Sequence, residues 1–255
     1  MRIDLHVHSS VSDGTDSPTE LMHAASDARL DVVALADHDT TAGWQQAAHA
    51  AARLGIVCVP AIEVSTIWQG ADVHLLTYWP DAGDDDLQRM LAAIRAGRRS
   101  RVPQMLAGLA AHGVVISEAA VRAAAGDAVS LGRPHVADAM VAAGVVTNRQ
   151  ESFDAWLGDG MPGYAPKPAP ALDIAIRTVR AAGGVPVLAH PWGRGSREVR
   201  AAAPLGELAQ RGRCGVEVDH GNQSEDKPTS QPAVAEAAGV VVTAGTDNPG
   251  PGKAG

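Results

Sequence analysis

The sequence is poor in aromatic residues, in cysteine and in long apolar runs, and each shortage excludes a class of protein. Its 255 residues include one Phe, two Tyr and two Cys, so the core must be built mainly from Ala, Val and Leu. No apolar run approaches the roughly 18 residues that a membrane-spanning helix needs, and no signal peptide precedes the first predicted strand. We therefore expect a cytoplasmic protein in which Cys58 and Cys214 are small buried thiols.

Excess positive charge is also absent. The formal net charge is −8 at pH 7, which argues against an extended basic surface for nucleic acid. A small phosphorylated substrate remains compatible with this charge, because two or three bound dications would reverse its sign locally. The oligomeric state stays open at this stage.

Apolar runs that are typical of buried strands alternate with helical patterns in the first and last parts of the chain. Strands are predicted at 3–5, 32–36, 56–59, 73–78, 185–189, 215–218 and 240–244. Helices are predicted between them, at about 17–29, 41–55 and 171–182. This alternation predicts an α/β barrel, and the length suits one barrel-sized domain or a domain with an insertion.

The middle of the chain has a different pattern. Strand-like runs largely vanish between about residues 84 and 166, where helices are predicted at about 85–112, 117–125, 134–144 and 150–157. Four prolines between residues 162 and 170 are typical of a return linker. We therefore predict a barrel made of residues 1–83 and 167–255, with residues 84–166 forming an inserted helical cap domain.

Side chains that bind metals follow most of the predicted strands or lie on them. They are His6, His8, Asp13, His38, Glu63, His74, His190 and Asp247. The active site of a β/α barrel is built at the carboxyl ends of its strands, so these side chains are predicted to converge there. Imidazole and carboxylate ligands together favour Zn, Mn or Fe(II) over Ca, and the two oxygens of Glu63 could bridge two ions.

Each of these residues, taken alone, also has an ordinary structural explanation. A histidine after a strand is often a hydrogen-bonded loop residue, and Asp37 and Asp39 could be acids at the N-terminus of a helix. The coincidence of so many ligand types at strand ends favours a metal cluster. For His23, His49 and His112, which lie within helices or at their ends, we expect surface or packing roles.

The motifs resemble those of the PHP (polymerase and histidinol phosphatase) family of metal-dependent phosphoesterases. The resemblance runs along the whole chain and is carried by Asp4-Leu5-His6-Val7-His8-Ser9, Ser12-Asp13-Gly14-Thr15, Ala36-Asp37-His38-Asp39, Ile62-Glu63, His74-Leu75-Leu76, Leu188-Ala189-His190-Pro191 and Gly245-Thr246-Asp247. It implies a distorted (β/α)7 TIM-like barrel. It also implies a hydrolase that acts on phosphoric ester bonds.

The resemblance further implies catalytic ligand sets for two to three divalent ions, with manganese favoured and zinc or iron as alternatives. One ion would be held by His6, His8, Glu63 and Asp247, and a second by Glu63, His74 and His190. A third would be held by Asp13, His38 and a histidine two residues after Asp247. This chain has Pro249 at that last position, so we expect the third site to be weak or empty. The chain also ends sooner than the family usually does, and whether its C-terminus is truncated stays open at this stage.

A motif in the middle segment narrows the resemblance. Leu131-Gly132-Arg133-Pro134-His135, Tyr164 and Lys167 resemble the subgroup that hydrolyses nucleoside 3′,5′-bisphosphates or trims short RNA from its 5′ end. In that subgroup a helical cap overhangs the metals. The resemblance implies that Arg133, His135 and Lys167 bind the substrate, and the planar fork of an arginine suits phosphate. The alternative is that Arg133 caps a helix or pairs with an acid.

The resulting hypothesis is a phosphoesterase that hydrolyses a small nucleotide-like phosphate monoester with metal-activated hydroxide. A histidinol-phosphate phosphatase is an alternative of the same class, against which the Arg133 motif argues. A metal-binding regulatory module with weak or no catalysis is an alternative of another class, and Pro249 is the observation that supports it.

Overall fold

The structure, a computed structural model, describes residues 1–126, 131–166, 168–190, 215–220 and 242–247. Lys167, Cys214 and Pro249 lie outside these ranges, as does the side chain of His220. The chain divides into two compact units. The barrel unit comprises Met1–Ala92 and Pro170–Gly255, and the helical unit comprises Ala93–Ala169.

Seven strands form one sheet in the barrel unit, and their spatial order follows the chain. They are β1 (Ile3–Val7), β2 (Val32–Leu35), β3 (Val57–Trp68), β4 (Ala71–Tyr78), β5 (Val185–Leu188), β6 (Gly215–His220) and β7 (Val242–Gly245). β1, β2 and β3 are parallel to one another, as are β5, β6 and β7. The sheet nearly closes where the Asp247 N–H donates to the His6 carbonyl at 2.9 Å. The predicted α/β barrel is therefore confirmed.

β4 runs antiparallel to both of its neighbours. It forms a hairpin with β3, and the two-residue connection Gln69-Gly70 has φ values of 50° and 86°, as a type I′ turn requires. The predicted strand 56–59 with Glu63 just beyond it is wrong, because β3 continues to Trp68 and contains Glu63. Residues 61–66 are all buried although three of them are polar, so the apolar pattern ended long before the strand did.

The described helices are α1 (Pro18–Asp27), α2 (Trp44–Leu54), α3 (Asp85–Ala111), α4 (Glu118–Ala125), α5 (Arg133–Ala142), α6 (Arg149–Ser152) and α7 (Leu172–Ala181). A π-helical turn, Phe153–Leu157, continues α6. The predicted capping box begins α1, with Ser17 and Glu20 exchanging hydrogen bonds. No described helix is long and apolar enough to span a membrane.

Each unit has its own apolar core. Small residues such as Ala34, Ala36 and Ala61 pack around Leu76 and Val187 inside the barrel. The helical unit buries a separate cluster made of residues from α3, α4, α5 and the turn after α6. The barrel strands can approach one another closely because their inward side chains are small.

Candidate metal centre

Glu63 lies at the centre of the predicted ligands, and its side chain is only 1% exposed. Its Oε2 lies 3.2 Å from His6 Nε2, 3.2 Å from His8 Nε2 and 3.3 Å from His38 Nδ1. Asp247 Oδ1 lies 3.1 Å from His8 Nε2 and 3.6 Å from His6 Nε2. His6 on β1 and His8 directly after it therefore face a carboxylate from β3 and another from the residues that follow β7.

The other oxygen of Glu63 faces a second pair of imidazoles. Oε1 lies 2.7 Å from His74 Nδ1 and 2.9 Å from His190 Nε2. Glu63 is opposite Leu76 in the β3–β4 register, so His74, two residues before Leu76, lies diagonally across the same face. His74 thus reaches the cluster from within an antiparallel strand. The apolar pattern placed His74 on the predicted strand 73–78 but did not predict that this strand is antiparallel.

Asp13 approaches the cluster from the loop after β1. Its Oδ1 lies 3.6 Å from His8 Nδ1, and its Oδ2 lies 3.6 Å from His38 Nε2. Its side chain is 48% exposed, compared with 27% for Asp247 and 1% for Glu63. Among the three carboxylates that the structure describes next to these histidines, Asp13 is therefore the most open to solvent.

The arrangement fits divalent cations. His8 Nδ1 and Glu63 Oε2 are buried, and neither has a hydrogen-bond partner among the described residues. Burying polar atoms without such partners is costly, and a bound cation would satisfy their lone pairs. Three groups have ligand atoms within 4.8 Å of one another: His6, His8, Glu63 and Asp247; His8, Asp13 and His38; and His38, Glu63 and His74.

Without a bound cation, the carboxylates and imidazoles of the cluster shift one another's pKa values. Burial disfavours charge on Glu63, but the surrounding imidazoles hold the pKa of this carboxyl well below its ordinary value. Burial likewise opposes protonation of the β1 histidines. The nearby carboxylates nevertheless raise the pKa of His6 well above its ordinary value and the pKa of His8 to about 9. The pKa of His190 is raised in the same way, mainly by Glu63.

Two buried acids hold the loops around the cluster. Asp37 accepts hydrogen bonds from the Ser9 N–H (2.8 Å), the Ser9 hydroxyl (2.7 Å) and the Ser12 hydroxyl (2.7 Å). Asp39 accepts from the N–H and the hydroxyl of Ser65, at 2.7 and 3.1 Å. Neither acid is at the N-terminus of a helix, because α2 begins several residues later. The helix-acid explanation offered by the sequence is therefore wrong.

Sequence reasoning assigned no role to Glu217 and none to Asp4 beyond its place in a motif. Glu217 Oε1 lies 3.0 Å from His6 Nδ1, and its Oε2 accepts from the His190 N–H at 2.8 Å. Asp4 accepts from the His6 N–H (3.1 Å) and from the N–H and hydroxyl of Thr246 (3.0 and 2.6 Å). The signal was a charged residue inside an apolar strand, which is rarely buried without a partner.

The predicted substrate contacts that the structure describes lie in the helical unit. Arg133 is the first residue of α5, and its Nη1 lies 3.8 Å from Oδ1 of Asp159, which is 83% exposed. His135 Nδ1 accepts a hydrogen bond from the Gly132 N–H at 3.1 Å. The Asp159 side of this ion pair is open to solvent, and such pairs contribute little stability.

A mixed seven-stranded barrel with a buried imidazole–carboxylate cluster defines a metal-dependent hydrolase. Residues 4–113 match the PHP domain model. The chain is 33% identical over 253 residues to the 3′,5′-nucleoside bisphosphate phosphatase of Chromobacterium violaceum, covering 99% of this chain and 89% of the relative. It is 35% identical over 190 residues to a 5′–3′ exoribonuclease of Haemophilus influenzae, covering 74% of this chain and 69% of the relative.

The solved structures agree with these relatives. A metal-dependent phosphoesterase from Bifidobacterium adolescentis superimposes with a TM-score of 0.78 at 31% identity, covering 99% of this chain and 89% of that one. The chain belongs to the PHP-domain family of metal-dependent phosphoesterases. It is therefore a hydrolase of phosphoric esters, with a His/Glu/Asp cluster able to bind metal.

Proposed function

We propose that this phosphoesterase hydrolyses a small nucleotide-like substrate. The substrate is either a nucleoside 3′,5′-bisphosphate, from which phosphate is released, or the 5′ end of a short RNA, from which a nucleoside monophosphate is released. The position of Glu63 between two sets of imidazoles carries the proposal, because a bridging carboxylate suits a multinuclear phosphoesterase site. The names of two relatives, a nucleoside bisphosphate phosphatase and a 5′–3′ exoribonuclease, support this substrate class.

The proposed ligand sets follow the two oxygens of Glu63. His6, His8, Asp247 and Glu63 would hold one ion, and Glu63, His74 and His190 would hold a second. Manganese suits this imidazole and carboxylate donor set, with zinc or iron as alternatives. Bound dications would lower the pKa of a water molecule and offset the charge of the transferring phosphoryl group.

A third ion, if bound, would use Asp13 and His38, with His8 nearby. Asp13 is half exposed and two residues make a weak set, since such sites usually have three or four protein ligands. We therefore propose partial occupancy of this site. It would fill when a substrate phosphate supplies further oxygen ligands.

The remaining residues position the substrate and the loops. Asp37 and Asp39 hold the loops that carry Asp13 and the β3 segment around Glu63. Arg133, His135 and Lys167 are proposed to bind the substrate phosphate, and the guanidinium of Arg133 offers a bidentate donor pair.

A single panel experiment tests the proposal. Protein reconstituted with Mn²⁺ is assayed for metal content, for phosphate release from adenosine 3′,5′-bisphosphate, histidinol phosphate and AMP, and for mononucleotide release from a 5′-phosphorylated RNA trinucleotide. We expect at least two ions per chain and the highest kcat/KM on the bisphosphate or the RNA. Preference for histidinol phosphate, or full metal content without hydrolysis of either the bisphosphate or the RNA, would refute the proposed substrate class.

A further inference from the structure

We propose that Glu217 is the positioning residue of the metal centre, because one buried carboxylate holds a ligand from each side of Glu63. The proposal rests on the ligand sets proposed above. Glu217 touches none of the reacting atoms. Instead, it contacts the ring of His6 and the main chain of His190, which face Oε2 and Oε1 of Glu63, respectively.

The contact with His6 selects the nitrogen that the ring offers to a cation. His6 Nε2 faces Glu63 Oε2 at 3.2 Å, while Nδ1 faces Glu217 Oε1 at 3.0 Å. A carboxylate only accepts hydrogen bonds, so Nδ1 must carry the hydrogen. The Nε2 lone pair of the neutral ring then points into the cluster. A carboxylate behind a metal-bound histidine commonly fixes the tautomer and the orientation of the ring in this way.

The contact with His190 holds an unusual backbone conformation. His190 has φ = 29°, which is uncommon for a residue other than glycine. Its N–H donates to Glu217 Oε2 at 2.8 Å, a hydrogen bond strengthened by the acceptor charge. The same residue presents its Nε2 to Glu63 Oε1 at 2.9 Å. Glu217 thus fixes the turn from which the His190 ring reaches the cluster.

The strands around Glu217 place its carboxylate close to His6 and leave little free space between them. Leu188 pairs with Val216 across β5 and β6, which brings the next residue on β6 beside the end of β5. A Cβ added at Gly245 would lie 2.3 Å from His6 Cβ and 3.0 Å from Glu217 Oε1. Glycine at this point of β7 therefore permits the close approach between the carboxylate and His6.

Glu217→Gln is the sharpest test, because an amide has one accepting oxygen where the carboxylate has two. Its NH2 group must meet either His6 Nδ1 or the His190 N–H. If the NH2 group faces His6 Nδ1, it favours the His6 tautomer that carries its hydrogen on Nε2. If the NH2 group faces the His190 N–H, two hydrogen-bond donors lie against each other. Thr77→Val is the matched control, since Thr77 is a fully buried polar residue of the same barrel whose hydroxyl has no partner among the described residues.

Two measurements follow, neither of which needs a substrate. Mn²⁺ titration followed by electron paramagnetic resonance should show binding about 10–100-fold weaker in Glu217→Gln, the usual cost of losing such a supporting contact, with Thr77→Val unchanged. In ¹⁵N-histidine-labelled protein without metal, the N–H signal of His6 Nδ1, the nitrogen that faces Glu217, should be protected from exchange in the wild type. It should be lost or shifted upfield in Glu217→Gln.

These outcomes separate the two proposals. Equal Mn²⁺ affinity in the wild type and Glu217→Gln, or an equal loss in Thr77→Val, would overturn the role of Glu217, and so would an unchanged imidazole N–H signal. Failure of the wild type to hydrolyse either the bisphosphate or the RNA would overturn only the proposed substrate class. If the wild type bound no Mn²⁺, the imidazole signal would still decide whether Glu217 holds His6.

Discussion

At the scale of single residues, Glu63 couples both halves of the metal cluster. Glu63→Gln keeps the size of the side chain but removes its charge and one accepting oxygen. We expect both ions to be lost together, with each affinity reduced by about 100-fold or more, since even losing a supporting contact costs 10–100-fold. Metal analysis after dialysis measures this, with Thr77→Val as the control. Retention of one ion at full occupancy would show that Glu63 does not bridge.

The raised histidine pKa values predict that metal binding releases protons. Without metal, His8 has a pKa of about 9, so it is largely protonated at pH 7.5, whereas a ligand histidine must be neutral. Mn²⁺ affinity should therefore rise with pH up to about 9, by about tenfold per pH unit for each proton displaced. Calorimetry in buffers of different ionisation enthalpy counts these protons. An affinity independent of pH between 7 and 9 would contradict the raised values.

Pro249 offers a third test at this scale. Proline supplies no side-chain donor, so Pro249→His should add a ligand to the set of Asp13 and His38. We expect the third ion to bind at least about tenfold tighter. A residue that binds the ion directly should change the metal affinity at least as much as a residue that only supports a ligand. Mn²⁺ titration would show it as a new tight equivalent. Three fully occupied ions in the wild type without substrate would instead show that another group completes the site.

The residues that form the buried cluster could be predicted from the sequence, but the groups behind them could not. Motifs such as His6-x-His8 combine residue type with a fixed spacing, so they can be recognised locally. Glu217 acts on His6 from 211 positions away along the chain, and nothing in its local pattern indicates that partner. The same holds for Asp4, whose partner Thr246 is 242 positions distant.

At the scale of secondary-structure elements, the helices and most strands were predicted within a few residues, whereas the β3–β4 hairpin was not. The antiparallel direction of β4 could not be predicted, because the hairpin turn Gln69-Gly70 was not recognised. The segments on both sides of this turn contain buried polar residues, which hid the strand pattern. The segment from Ala61 to Thr66 is buried on both faces, so it has no apolar–polar alternation to mark it as a strand. Glu63 therefore seemed to lie in a loop.

The close approach of β1 and β7 leads to a prediction about Gly245, the last residue of β7. Gly245→Ala places a Cβ 2.3 Å from His6 Cβ and 2.8 Å from His6 N, so the two strands must separate. We expect a loss of about 3 kcal/mol in unfolding free energy, at the upper end for overpacking, together with weaker metal binding. Chemical denaturation measures the first quantity and Mn²⁺ titration the second.

Gly132→Ala is the control for this change. Its added Cβ would meet no atom closer than 3.7 Å, and its φ of −152° suits any residue. Gly132 is the N-cap of α5, where alanine is less favourable than glycine, so the unfolding free energy of this variant should fall by about 1 kcal/mol at most. Equal destabilisation by both alanines would mean that closure at Gly245 is not the cause.

At the scale of the whole molecule, the barrel unit contains the cluster and the helical unit contains Arg133. Arg133→Ala should raise KM for a nucleotide monoester without changing metal content. A bidentate charged hydrogen-bond pair is worth roughly 1.5–3 kcal/mol, so we expect at least about a tenfold loss in kcat/KM. Asp159→Asn removes the acid near Arg133 and should leave kcat/KM close to that of the wild type. Unchanged kinetics in Arg133→Ala would assign Arg133 to a structural role.

The pairing of His8 with Asp247, 239 positions apart, has a consequence for how the protein is made. During synthesis, His6 and His8 leave the ribosome long before Asp247 is made, so the cluster cannot be complete until residue 247 has emerged. Contacts between distant parts of a chain also form slowly. Metal retention would thus report that the chain has emerged beyond Asp247 and that the barrel has closed, and a nascent chain or one cut before Asp247 would be recognisable by its weaker retention of metal.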